Sequence, residues 1–317
     1  MKKLYLVSIF VMMLAMLFLP LAANGHDKGE ESLPAATIPF IPQESDGSVI
    51  RVYHTDSGKV EEMSTEDYLF SVVAAEMPAL YENEALKAQA VAAYTYAMFK
   101  SSKSEGEYDI TDDSAIDQAF VSRDAARKRW GESADIYEEK IRSAIKSVLN
   151  QKITYDSKPI LAAYHAISSG KTENAKDIWG GDYAYLISVD SEGDKLSPDY
   201  LSSVSFTADE LKTKLEGVAA LSGEADGWFG EMKKSGSGSV LSVAVSGKSV
   251  SGGDIRKALS LRSANFDIVY SDGKFSFNVR GYGHGIGMSQ YGAHYMAMQG
   301  KGYKEILLHY YPGCEVG

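Results

Sequence analysis

The sequence has 317 residues, of which 44% are hydrophobic, and a formal net charge of -11. The length allows one large domain or two ordinary ones, and the hydrophobic fraction is that of a globular protein rather than a disordered one. The negative charge argues against a nucleic-acid-binding protein, which needs a basic surface to neutralise phosphates. With a single cysteine, Cys314, no internal disulfide is possible, so the core must stabilise the fold.

An apolar segment follows two lysines at the N-terminus and extends from Leu4 to Leu19. It is shorter than the roughly 20 residues that a full membrane span needs, and the small residues at 21–23 are typical of a signal-peptide cleavage site. We expect residues 1–24 to direct export, either as a cleaved signal peptide or as an uncleaved membrane anchor. The polar, proline-containing stretch 25–47 is typical of an extended linker, so the globular part is expected at 48–317.

The first predicted elements of the globular part are a hairpin and two helices. The stretch IRVYHTDSGKVEEM surrounds a turn at residues 56–58, which predicts a β-hairpin. Ser64 or Thr65 then caps a helix that ends before Pro78. Asn83 caps a second helix, rich in alanine.

The rest of the chain mixes short helices and strands. Charged helical sequence at 123–149 is typical of a solvated face, and ITYDSKPILAAYH predicts a second hairpin. The region 205–239 predicts one helix followed by glycine- and serine-rich loops. Short strands follow, with turns at 246–248 and 272–273, before a glycine-rich loop and two final helices. Without a regular βαβ order, the sequence predicts an α+β fold, with helices packed with short antiparallel strands around a substrate groove.

One carboxylate lies on the apolar stripe of the first predicted helix. Leu69, Val72, Val73 and Glu76 are spaced at i, i+3, i+4 and i+7, which places them on one helix face. Burial on such a face raises the pKa of a carboxyl group, which can then donate a proton near neutral pH. Alternatively, the helix ends at Ala75 and Glu76 turns to solvent. The spacing alone leaves both interpretations open.

Other polar residues are weaker candidates for ligand contacts. Lys87 and Tyr94 share a stripe of the second helix and could hold a sugar or its carboxylate, although an ordinary helix with a lysine at its edge is favoured by the pattern alone. Polar loops after strands often bind ligands, and one such loop contains His165, Ser168, Ser169, Lys171, Thr172 and Glu173. That loop lacks the first glycine of a phosphate-binding loop, so nucleotide binding is rejected there.

Glycines alternate at 281, 283, 285 and 287 around His284, a pattern that differs from the dinucleotide-binding motif. They permit close approach of the backbone to either a ligand or another strand. The loop leads into a helix predicted from Met288, whose free N–H groups favour an anionic or carbonyl group. Because the histidines are scattered and no H-E-x-x-H motif occurs, hydrogen-bonding roles are favoured over metal ligation for His165, His284, His294 and His309.

Five parts of the sequence together resemble the stage II sporulation protein D and LytB family of cell-wall proteins. In the family's order, they are EMPALYENEALKAQAVAAYTYA, DDSAIDQAF, AYHAISSGKTENAKDIWG with YLISVDSEGD, IRKALSLRSANFDI and RGYGHGIGMSQYGAHYMAMQGKGYKEILLHYYPG. They cover most of residues 49–317. The resemblance implies a lytic transglycosylase that cleaves peptidoglycan glycan strands already stripped of stem peptides by a partner amidase, in septal wall remodelling and engulfment during sporulation.

The resemblance also implies site residues. Glu76, in the E-M-P motif, matches the family's catalytic acid. In a lytic transglycosylase the C6 hydroxyl of N-acetylmuramic acid is the nucleophile, so one glutamate suffices where a hydrolase needs two carboxyl groups. A groove is implied between His284 and Gln290 on one side and, on the other, His165, Ser168, Ser169, Lys171, Thr172 and Glu173. Gln118, in DDSAIDQAF, is also expected to bind substrate.

Two departures from the family pattern affect these expectations. The family often has arginine at the position of Tyr94, so any substrate contact of that arginine would pass to another residue such as Lys87 or Lys171. Family members that bind zinc do so through a histidine and cysteines in the loop of His165. This loop has no cysteine, so we expect no metal and no other cofactor.

Two alternative functions stay open at this stage. LytB-type relatives are autolysin modifiers, so the chain could be a non-catalytic glycan-binding protein that stimulates a cell-wall amidase. A hydrolase would require a second acid, for which Glu173 is the candidate. The expected partners are glycan strands, an amidase, membrane sporulation proteins and, if the N-terminal segment is uncleaved, the membrane. The expected location is the extracytoplasmic face of the membrane or the cell wall.

Overall fold

The computed structural model describes residues 49–104 and 106–317. The predicted signal or anchor segment and the linker lie outside the described residues. Within these ranges the chain contains α-helices and short β-sheets, which confirms the predicted mixture of α and β structure. No helix in this part of the chain is long and apolar enough to cross a membrane.

The described chain begins with the predicted hairpin and helix. Strands β1 (Val49–His54) and β2 (Lys59–Ser64) pair antiparallel. Helix α1 (Thr65–Glu76) begins after Ser64, whose hydroxyl accepts a hydrogen bond from a backbone N–H of the first turn. The helix ends at Glu76 because the next residue is extended before Pro78, as residues preceding proline usually are.

Helix α2 (Asn83–Ser101) is the second predicted helix, with a correction at its start. Asn83 is the first residue of the helix and not its cap, because Glu82 occupies the cap position and makes no side-chain capping bond. The N–H of Glu82 donates to Nδ1 of His294 at 3.1 Å, so a distant segment contacts the start of this helix.

The charged segment after α2 is helical as predicted, but one of its faces is buried. Ile141 and Ile145 are fully buried and belong to the larger hydrophobic core. The expectation of a purely solvated face is therefore wrong, because the many charges concealed an apolar stripe at i and i+4. The elements here are β3 (Ile110–Thr111), which is parallel to β1, and helices α3 (Arg123–Trp130) and α4 (Ala134–Lys146).

The second predicted hairpin is also present. Its turn has positive φ angles at Asp156 and Ser157, and the strand and helix that follow it carry the polar loop singled out above. These elements are β4 (Ile153–Tyr155), β5 (Lys158–Pro159), β6 (Tyr164–His165) and α5 (Ala175–Trp179).

A second, smaller hydrophobic core is formed by residues between 204 and 279. Trp228 stacks on Phe275 at its centre, with ring centroids 5.3 Å apart. The sheet orders are β11-β12-β7 and β10-β9-β8. The elements are β7 (Leu201–Thr207), α6 (Ala208–Leu215), β8 (Phe229–Lys234), β9 (Val240–Val245), β10 (Lys248–Val250), α7 (Gly252–Leu259), β11 (Phe266–Ser271) and β12 (Lys274–Arg280).

The chain then returns to the larger core. Helix α8 starts at Gln290, two residues after its predicted start, because Met288 and Ser289 form a strand parallel to β6. The last elements are β13 (Met288–Ser289), α8 (Gln290–Met298), α9 (Tyr303–Tyr310) and β14 (Glu315–Val316), which pairs with β4.

The alternating glycines lie against protein backbone. Gly287 has a φ of 71°, and a Cβ at this position would lie 1.9 Å from the carbonyl oxygen of Ala163. Gly281 has a φ of 77°, and its Cβ would lie 2.7 Å from the carbonyl oxygen of Ile167. Of the two alternatives left open by the sequence, close approach to another strand therefore accounts for these glycines.

Candidate active site

Glu76 is the last residue of α1, and its carboxyl group accepts hydrogen bonds from separate segments of the chain. The N–H of Ala119, in the loop before α3, donates to Oε1 at 2.8 Å. Nε2 of Gln290, the first residue of α8, donates to Oε2 at 3.1 Å. The hydroxyl of Tyr164 on β6 also interacts with the carboxyl group. The predicted helix thus delivers Glu76 to a point where the loop, the strand and the second helix meet.

The surroundings of Glu76 favour its protonated form. Burial raises the pKa of the carboxyl group, and this outweighs the hydrogen bonds from Ala119, Gln290 and Tyr164, which lower the pKa. The side chain remains partly accessible to solvent. A partly accessible carboxyl group with a raised pKa has the properties of a general acid.

An amide and phenol network supports this carboxyl group. The hydroxyl of Tyr164 donates to Oε1 of Gln118 at 2.7 Å, and Nε2 of Gln118 donates to the hydroxyl of Tyr68 at 2.6 Å. Nε2 of Gln290 is also 3.4 Å from Oε1 of Gln89, which is fully buried. Gln118 and Gln290, both predicted site residues, therefore lie near Glu76, and Gln118 reaches it through Tyr164.

Two neutral histidines lie beside this network. Nδ1 of His165 donates to the carbonyl oxygen of Ile286 at 3.1 Å, and Nδ1 of His284 accepts from the N–H of the same residue at 3.1 Å. Burial lowers the pKa of His165 to about 4 and that of His284 to about 3. The rings are 5.7 Å apart, and Trp179 lies 4.9 Å from His284 on its other side.

All four histidines named from the sequence make hydrogen bonds, which confirms that prediction. His294 accepts from Glu82, and Nε2 of His309 donates to the carbonyl oxygen of Asp190 at 2.7 Å. Across 49–104 and 106–317, no three His, Cys, Asp or Glu side chains group in a way that could hold a metal ion.

Three predicted groove residues of the polar loop have buried protein partners instead of contacts with Glu76. Ser168, Thr172 and Glu173 are 1%, 0% and 2% exposed. Oε1 of Glu173 accepts from the hydroxyl of Ser235 at 2.9 Å and from the N–H of Ser239 at 3.2 Å. The hydroxyl of Thr172 accepts from the N–H of Val189 at 2.9 Å, and that of Ser168 accepts from the N–H of Gly170 at 3.1 Å.

The other predicted site residues also have partners away from Glu76. The hydroxyl of Ser169 donates to the carbonyl oxygen of Ser237 at 2.8 Å, and exposed Lys171 lies 4.0 Å from Asp190. Nζ of Lys87 lies 2.6 Å from Oε1 of Glu84 in an ion pair. Tyr94 is 7% exposed and belongs to the larger core. None of these four contacts Glu76 in the described residues.

Sequence patterns did not single out Tyr164, Ala119 or Gln89. Tyr164 immediately precedes His165 in a matching stretch, so a polar residue next to a candidate was the available signal. The role of Ala119 could not be read from its side chain, because the backbone N–H makes the contact.

Comparison with known proteins agrees with this site. Residues 53–155 match the family model described as "Stage II sporulation protein". The chain is 37% identical to stage II sporulation protein D of Bacillus amyloliquefaciens, covering 84% of this chain and 78% of the relative. It is also 37% identical to stage II sporulation protein D of Bacillus subtilis strain 168, covering 91% of this chain and 82% of the relative.

A more distant relative has a different printed function. The protein named "Amidase enhancer" from Bacillus subtilis strain 168 is 26% identical over 77% of this chain, which corresponds to 39% of the relative. The two 37% identical relatives decide the family because the match extends over most of both chains. This chain belongs to the stage II sporulation protein D family.

Proposed function

We propose that this protein is an exported lytic transglycosylase that cleaves peptide-stripped glycan strands of peptidoglycan. The observation that carries the proposal is the carboxyl group of Glu76, which is partly accessible, has a raised pKa, and is held by donors from three segments. A group of this kind can carry a proton at neutral pH and release it to a substrate.

The reaction requires one proton to move twice. Glu76 donates its proton to the glycosidic oxygen, and the bond between that oxygen and C1 of N-acetylmuramic acid breaks. The donors Ala119, Gln290 and Tyr164 then stabilise the carboxylate. This carboxylate takes the proton from the C6 hydroxyl as its oxygen bonds to C1, which closes a 1,6-anhydro ring without water.

The hydrolase alternative loses support from the geometry. A second carboxyl group would have to position water or act as a nucleophile. Glu173, the candidate from the sequence, is 2% exposed and bonded to Ser235 and Ser239.

A second candidate function is a glycan-binding protein that stimulates a cell-wall amidase. It is favoured by the similarity to the protein named "Amidase enhancer". Buried Tyr94 stands where the family often has arginine, so that substrate contact is missing here.

Product analysis separates these functions. Residues 49–317, with the preceding linker, would be incubated with peptide-free glycan strands and the products analysed by mass spectrometry. The proposal predicts products about 18 Da lighter than hydrolysis products, because no water is added, and predicts their loss in Glu76→Gln. Glycan binding without cleavage by the unaltered protein would support the amidase modifier instead.

Family membership supports sporulation as the setting, with membrane sporulation proteins and an amidase as partners. The amidase would supply peptide-stripped strands. Export through residues 1–24 would place the enzyme on the outer side of the membrane or in the cell wall. Fusion of these residues to a reporter that is active only outside the cytoplasm would test this location.

A further inference from the structure

A cleft of about 720 Å³ lies between the glycine-rich loop and α7. One wall includes Trp179, Tyr282 and His284, and the opposite wall includes Arg256, Lys257 and Arg262. Both arginines come from IRKALSLRSANFDI, a stretch that contributed to the family resemblance but has no role in the site around Glu76.

The basic wall has cationic groups without matching carboxylates. Arg256 is half-buried, and its Nε donates to the carbonyl oxygen of Leu261 at 3.3 Å. Within the part of the chain that the structure describes, no carboxylate lies within ion-pair distance of Arg256 or Lys257, whereas Arg262 pairs with Asp199 at 2.9 Å. A half-buried guanidinium without a counter-charge is costly unless a ligand supplies one.

The charge balance of the cleft favours an anion. Asp177 is the one acidic residue among those lining the cleft, against the three cations of the basic wall. His284 and neighbouring His165 are neutral, and the charge of Arg256 contributes to lowering the pKa of both. The guanidinium of Arg256 is therefore close to both histidine rings and has no competing charge from them.

The opposite wall offers ring surfaces to a sugar. Trp179 is 45% exposed and Tyr282 is 46% exposed. Large aromatic side chains are rarely this exposed without a reason, and their faces stack against apolar surfaces while their edges bind polar groups. The guanidinium of Arg262 lies 5.4 Å from the centre of the Tyr282 ring, which holds the two walls together at one end.

The cleft is within reach of Glu76. Ala115 lines the cleft, and Ala119, four residues later, donates its N–H to Glu76. Four residues span at most about 14 Å when fully extended. His284 contacts the backbone of Tyr164, which is the second connection between the cleft and the catalytic carboxyl group. A glycan strand of a few sugars could occupy both places.

We propose that this cleft binds the free lactyl carboxylate of a muramic acid residue in the glycan strand, with Arg256 as its main partner. The inference rests on the proposed function and names the chemistry of the substrate. In intact peptidoglycan the stem peptide is joined to this lactyl group through an amide, and removal of the peptide exposes a carboxylate. Arg256 would then select stripped strands through a charge-assisted hydrogen bond, while Trp179 and Tyr282 contact the sugar rings.

The test measures binding apart from cleavage. Glu76→Gln protein would be titrated by calorimetry with peptide-free glycan strands and with the same strands after their lactyl carboxylates are converted to methylamides. The Glu76→Gln protein is expected to bind the carboxylate strands roughly tenfold or more tightly, as for other hydrogen bonds to charged groups. Adding Arg256→Gln should abolish this preference and leave the affinity for methylamide strands nearly unchanged.

Further variants control for charge and for folding. Lys233 is exposed on β8, outside the cleft, so Lys233→Gln removes one charge and should preserve the preference. Arg256→Lys keeps the charge and should retain part of the preference. If Arg256→Gln does not fold, as judged by circular dichroism, Lys257→Gln at the exposed edge of the cleft should lower the preference about twofold or more.

The outcomes separate this inference from the proposed function. Equal affinity of the Glu76→Gln protein for the two kinds of strand would overturn the carboxylate site, whether or not the unaltered protein cleaves glycan. A preference that survives Arg256→Gln or Lys257→Gln would also overturn it. A preference removed by Arg256→Gln, in a protein that never forms anhydro products, would support the site and contradict the transglycosylase.

Discussion

Glu76 and Glu173 are two buried glutamates in stretches that resemble the same family, and their surroundings differ in kind. Glu76 is partly accessible and accepts hydrogen bonds from Ala119 and Gln290 within the larger core region. Glu173 is 2% exposed, and its carboxyl group accepts from two groups of the 235–239 loop, which leads into β9 of the smaller core. Burial is common to both residues, whereas access to a substrate distinguishes Glu76.

The backbone of Glu173 strengthens this contrast. Its N–H donates to the carbonyl oxygen of Gly285 at 2.7 Å, within the glycine-rich loop. One residue thus bonds to the glycine-rich loop through its backbone and to Ser235 and Ser239 through its side chain. A carboxylate committed to two internal donors fixes structure, and it is not free to exchange protons with a ligand.

The largest expected difference between the two glutamates is in catalysis. Glu76→Gln should lower kcat/KM for anhydro product formation by about 100-fold or more, the usual effect of removing a general acid. Glu173→Gln keeps an acceptor oxygen for Ser235 and Ser239, so its kcat/KM should remain within a few-fold of the unaltered protein. Equal losses in the two variants would remove the distinction and favour a mechanism with two carboxyl groups.

Stability should show the opposite order. Glu173→Ala leaves the hydroxyl of Ser235 and the N–H of Ser239 without this partner, which costs roughly 1–3 kcal/mol for each buried group left unpaired. Thermal unfolding should therefore occur at a clearly lower temperature. Glu231 is exposed on β8, so Glu231→Ala is the matched control and should leave the unfolding temperature unchanged. A Glu173→Ala protein as stable as this control would show that the internal bonds contribute little.

The sequence predicted the position of Glu76 well because the relevant information is local. The apolar spacing of Leu69, Val72 and Val73 and the stop at Pro78 are all within one helix, and these three apolar residues are buried as expected. The partners of Glu173 were not predictable in this way. Ser235 and Ser239 are 62 and 66 residues away along the chain, and no pattern within either segment indicates that they meet.

The smaller core was the least predictable part of the fold for a related reason. Strand β7 reads LSSVSFT, in which Val204 and Phe206 face inward and serines alternate with them. Strand β8 reads FGEMKK and pairs with β9 through an irregular register. The sequence analysis assigned this region to loops after one helix, because weakly apolar strands become recognisable only when their neighbours in the sheet are known.

The pH dependence of stability offers a finer distinction. Because the pKa of Glu76 is raised in the folded state, its contribution to stability is full below the unfolded value of about 4.3 and is lost as pH rises through the folded pKa. Glu76→Gln cannot ionise, and Gln290 can turn its amide oxygen towards the new amide. The variant should therefore unfold at a higher temperature than the unaltered protein at pH 8, with the difference vanishing near pH 4.

Thermal unfolding between pH 4 and pH 8 measures this difference. Glu231→Gln, which changes an exposed carboxyl group, should follow the unaltered protein over the whole range. A Glu76→Gln protein that is less stable than the unaltered protein at pH 8 would mean that the ionised carboxylate is stabilised by its donors, contrary to the balance inferred here.

The smallest expected effect concerns one donor to Glu76. The hydroxyl of Tyr164 lowers the pKa of Glu76, so Tyr164→Phe should raise this pKa further. The protonated acid would persist to higher pH, and the upper limb of the pH profile of kcat/KM should move upward by up to about one pH unit, the value of a neutral hydrogen bond. Tyr96→Phe is the control, because its hydroxyl bonds to Asp117 and not to Glu76. A downward movement, or equal movements in both variants, would contradict the assignment of Glu76 as the acid that this limb reports.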